Sequence, residues 1–66
     1  MESNAILTYE KVANITIIFK DSPKQRIENV KVNVYDNFLT IRYRTTNRKV
    51  RIIPFANTTS IILEVE

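Results

Sequence analysis

The chain has no cysteine, no histidine, no glycine and no tryptophan. Without cysteine there are no disulfides, no thiolate metal ligands and no cysteine nucleophile. Without histidine there is no imidazole general base and no zinc site of the ordinary kind. Without glycine there is no phosphate-cradling loop of the Walker or dinucleotide type. It also leaves a β protein without its usual turn residue. No apolar run approaches the roughly 18–20 residues of a membrane span. The start, MESNAILTYEKV, has no cationic lead before an apolar core, so it does not read as a signal peptide. The expected location is the cytoplasm, with no membrane partner. On that basis Asn14-Ile15-Thr16 and Asn57-Thr58-Thr59 match the glycosylation sequon by chance.

What is present is a pattern of alternation. Sixty-six residues make one domain, 1–66. A chain of this length buries a modest core and gains from a second subunit. Apolar residues recur at period two, the signature of strands with one buried face. Residues 14–20, 26–35, 38–44, 49–53 and 61–65 are the expected strands. Residues 1–13 form an N-terminal extension or an extra strand over 5–11. Pro54 ends the fourth ladder because it lacks a donor. Phe55 to Thr58 then reads as a turn, with one turn of 3₁₀ helix as an option.

Two tight turns set the expected register. Asp36-Asn37 forms a two-residue hairpin loop, since Asx residues tolerate positive φ best after glycine. It pairs Val34 with Leu39, Val32 with Ile41 and Val30 with Tyr43. Thr46-Asn47 forms the next turn, and pairs Tyr43 with Val50 and Ile41 with Ile52. Apolar meets apolar in both.

Five short strands, one long early loop, two tight hairpins and a proline turn before the last strand make an all-β chain. This order resembles the small five-stranded antiparallel barrel of SH3-like and Sm-like domains over residues 14–66, although no family motif accompanies it. The second strand also lacks the glycine at which many such barrels bend. A strongly bent meander or two-sheet sandwich, completed by self-association, is the alternative.

The register also orders the outer face. Lys31, Arg42 and Arg51 fall in one row, with Arg44 and Lys49 in the next. Tyr35 and Phe38 lie at one end as stacking platforms. Five cations on one sheet patch make either a solvated outer face of long side chains or a surface for an anionic partner: nucleic acid, a phosphorylated ligand or an acidic protein surface. Like charges set opposite one another repel, and an anionic partner, carboxylates such as Glu10, Glu28, Glu64 or Glu66, or water and salt alone would offset them. Ile18, Ile53 and Ile62 fall on the outer face and mark a homo-oligomer interface. No hydroxyl has a base beside it, and the carboxylates sit in turns or on a solvated edge. The chain is therefore read as a non-enzymatic binding protein without cofactor or metal. The alternative is a protein-interaction, inhibitor or structural subunit of a phage or mobile element, acting through an oligomer. Ten isoleucines and seven asparagines, both with AT-rich codons, suggest such an origin.

Overall fold

The computed structural model describes residues 4–46 and 49–66. It is all-β apart from one short 3₁₀ turn. The elements are β1 (Leu7–Phe19), β2 (Gln25–Val34), β3 (Phe38–Tyr43), β4 (Val50–Pro54), the 3₁₀ turn η1 (Phe55–Asn57) and β5 (Thr58–Val65). They form one antiparallel sheet in the order β4-β3-β2-β1-β5. The expected N-terminal extra strand and the first strand are thus a single strand of 13 residues.

The sheet bends strongly but does not close into a barrel. Pro54 and Thr58 sit on opposite edge strands, joined by three residues. A flat five-stranded sheet would hold its edges about 19 Å apart. Four Cα–Cα steps reach about 15 Å at most, and a 3₁₀ turn contracts them further. The sheet must therefore curl at this end. Two backbone bonds hold the curl. Phe55 N–H donates to Asn37 O at 2.9 Å, and Lys20 N–H donates to Asn57 O at 3.0 Å.

Irregularities in β1 and β2 supply the rest of the bend. Tyr9 pairs with Val32 and Val12 with Val30, so Glu10 and Lys11 together oppose Lys31. That is a β-bulge, which adds local twist. Further along, Val12 and Ile15 both face the core, as do Val30 and Ile27 opposite them. Both strands switch face between these pairs, at Ala13 and Asn29. Asn29 has φ of 60°, the one positive φ among the described residues. After glycine, asparagine pays least for that conformation.

The core is Val12, Ile15, Ile17, Val30, Val32, Leu39, Ile41 and Ile53. Tyr9, Phe19, Ile27, Tyr43, Phe55 and Leu63 pack around it. The β2–β3 register is as expected, with Val34 on Leu39 and Val30 on Tyr43. Its turn differs in kind. Asp36 and Asn37 keep negative φ, so the loop is not of a primed type. The Asn37 carbonyl is instead held by Phe55, an interaction from a remote element.

The β3–β4 register is one residue off the expected one. Ile41 pairs with Arg51, Thr40 with Ile52 and Leu39 with Ile53. Asn47 of the expected turn, and Arg48 after it, lie outside the described residues. In "VRIIPF" either register turns apolar residues inward. The one adopted sends Ile53 and Phe55 into the core and turns Val50 and Ile52 out. This register turns Arg51 to the core-side parity without burying its charge, because β4 is an edge strand. Arg51 lies at the open rim, where a long stem can cover Ile41 while the charge stays near water.

Candidate anion-binding groove

The slip rearranges the expected basic patch. Lys31 and Arg42 remain directly paired on the outer face of β2 and β3. Arg44 follows at the end of β3, where its amide donates to Asn29 O at 3.2 Å. Arg51 does not join them. Its place opposite Arg42 is taken by Val50. Arg51 shares the core-side parity, and its Nη2 donates to Gln25 Oε1 at 2.9 Å. It lines a second cleft, of about 430 Å³, with Asp21 and Ser22 of the β1–β2 loop. Lys49 is exposed just ahead of β4 and is not one of its residues. Three of the five expected cations thus stand together.

A fourth joins them from β1. A shallow groove of about 300 Å³ is lined by Glu10, Lys11, Lys31, Arg42, Tyr43 and Arg44. The bulge is what brings Glu10 and Lys11 there, by setting two residues opposite Lys31. Four cations and one carboxylate leave the lining strongly positive. The signal for Lys11 was the spacing of Tyr9, Val12 and Ile15. Three-residue steps inside a strand mean extra residues, hence bulges.

Carboxylates do offset the repulsion. Lys31 Nζ lies 3.4 Å from Glu10 Oε2, and Arg44 Nη1 lies 2.9 Å from Glu66 Oε2. Glu28 instead pairs with Arg26 at 2.9 Å, and Glu64 accepts 3.4 Å contacts from Asn14. Like charges directly opposed cost about 0.2–1 kcal/mol, and an exposed ion pair returns a similar amount. The two terms roughly cancel, so the patch is tolerable without a ligand.

Tyr35 and Phe38 stack on each other, with centroids 4.7 Å apart and rings at 17°. They close the β2–β3 hairpin. Both are half-buried, and Pro54 of β4 is the strand partner of Phe38. Phe38 is four residues from Arg42 along β3, or about 13 Å. The aromatic pair and the groove therefore lie on one sheet face but do not touch as one pocket. Of the expected interface residues, Ile53 is buried at 4% exposure and belongs to the core. Its outward place is held by Ile52. Ile18 is half-buried, and Ile62 faces water.

Among the described residues no cluster of acidic side chains could hold a metal ion, and no helix is long and apolar enough to cross a membrane. No family model, curated protein or solved structure matches this chain. The groove therefore has to be interpreted from its own chemistry.

Proposed function

We propose that the protein is a non-enzymatic binding module that takes an anionic partner in the groove between β1 and β3. The observation that carries this is the convergence of Lys11, Lys31, Arg42 and Arg44 on one groove. Of the anionic partners a cell offers, single-stranded nucleic acid suits the surface best. Phosphates at regular spacing can meet the cations, while Tyr35 and Phe38 present partly exposed rings further along the same sheet. In this proposal the bent meander is a small open barrel of SH3-like or Sm-like arrangement, working in the cytoplasm.

The test is binding of a fluorescent single-stranded oligonucleotide at about 50 and 200 mM salt. Affinity should fall steeply with salt, because each neutralised phosphate releases counterions. The Lys31→Ala/Arg42→Ala double variant should lose most of the binding and lower the salt slope by about 1 to 2. Binding that ignores salt, or survives the double variant unchanged, would remove the proposal.

A further inference from the structure

The residue that follows β5 reaches the groove. In the β1–β5 ladder Asn14 pairs with Glu64 and Val12 with Val65, so Ala13 is an extra residue on β1. This is a second bulge, and it sets the last rungs of the ladder apart from the rest. Beyond it Glu66 N–H donates to Lys11 O at 3.2 Å, which places Glu66 beside one of the groove's four cations. Its carboxylate meets another: Arg44 Nη1 donates to Glu66 Oε2 at 2.9 Å. One acid thus links two sides of the groove, β1 through its backbone and the end of β3 through its side chain.

This link lies at the margin of the fold. Glu66 follows the last residue of edge strand β5, where Val65 is 53% exposed and the Glu66 side chain 45%. An ion pair so exposed contributes little to stability. A carboxylate on a guanidinium also shows what the place suits, because carboxylate and phosphate oxygens use the same donors of the arginine fork. Glu66 differs in this from Glu10, whose 3.4 Å contact is to a lysine and whose backbone lies inside β1.

We propose, resting on the anion reading of the groove, that Glu66 is an internal stand-in for the ligand. A phosphate of the bound nucleic acid takes its place on Arg44, and the chain beyond the Ala13 bulge comes away from β1 as it does so. The exchange swaps one exposed pair for a charge-assisted pair with phosphate. It also makes the groove selective. Glu66 is tethered, so it meets Arg44 at high effective concentration, and a lone phosphate ion competes poorly with it. A strand already held by Lys11, Lys31 and Arg42 is tethered too, and can displace it. The clasp therefore favours several linked phosphates over one.

The test is the affinity of a fluorescent single-stranded oligothymidylate for the wild type, Glu66→Gln and Glu64→Gln. It is read together with the backbone order of Val65 and Glu66 by NMR relaxation. Glu66→Gln should bind about two- to fivefold tighter, the worth of one exposed pair. Glu64→Gln removes the same charge two residues earlier, where the carboxylate contacts Asn14. It should stay closer to the wild type. In the wild type, saturating oligonucleotide should lower the order of Val65 and Glu66, and inorganic phosphate at the same ionic strength should not. Equal gains in the two variants, which would reduce Glu66 to its bulk charge, overturn the inference. So does a Glu66→Gln variant that binds no tighter, or an end of β5 that keeps its order in the complex. If the Lys31→Ala/Arg42→Ala variant still loses binding, these results remove the clasp and leave the groove. Absence of oligonucleotide binding throughout removes both.

Discussion

Asn29 performs in β2 conformational work that is usually left to glycine. Its left-handed φ lets β2 reverse the face it buries between Ile27 and Val30. A side chain without the Asx tolerance pays about 1–2 kcal/mol there. Asn29→Gly should therefore be neutral or slightly stabilising, and Asn29→Val should lower stability by at least about 1 kcal/mol, read from urea midpoints at constant m. At the same scale, Glu10 is the carboxylate closest to the groove's central lysine. A bound phosphate would have to compete with it. Glu10→Gln should tighten oligonucleotide binding several-fold at low salt and less at high salt. An unchanged or weaker affinity would place the ligand away from Lys31.

The β3–β4 hairpin decides which cations act together. With Val50 opposite Arg42, Arg51 belongs to the rim and to Gln25, not to the groove. Arg51→Ala should consequently leave oligonucleotide affinity within about twofold, a change of roughly 0.4 kcal/mol. It should cost stability instead, through the lost contact to Gln25 and the uncovered flank of Ile41. The measurement is a side-by-side titration of Arg51→Ala and the Lys31/Arg42 double variant. Equal losses in both would mean that the ligand spans the rim and that the groove is not the whole site.

The whole molecule rests on eight buried aliphatic residues from β1 to β4. A chain of 66 residues has about 3–10 kcal/mol of stability in total. Truncating a buried isoleucine to alanine costs about 2–5 kcal/mol. Ile15→Ala, in the long strand that pairs with both β2 and β5, should therefore remove a large share of that stability and lower the melting midpoint by about 10 °C or more. Circular dichroism melts would check this: a cooperative transition within about 5 °C of the wild type would mean that another body of structure, such as a partner subunit, carries the stability.

The sequence by itself determined the places of β2 to β5, the β2–β3 register and the identity of most core residues. Each of these follows from local rules. Alternation places Val30, Val32, Ile15 and Ile17 on one face, and a two-residue loop leaves one apolar match for Val34 and Leu39. The 3₁₀ turn after Pro54 follows as locally. The tertiary structure decided the rest. In "VRIIPF" both registers satisfy alternation, so the choice fell to contacts that alternation does not contain: Ile53 and Phe55 reaching the core, and Arg51 finding an open rim. Glu10 and Lys11 entered the groove through a bulge whose energy depends on both flanking strands. Closure was decided by length, since η1 can draw the sheet edges together only at its own end. Local pattern sets which side of a strand is buried. Where two patterns bury nearly equal apolar area, packing against distant elements selects between them.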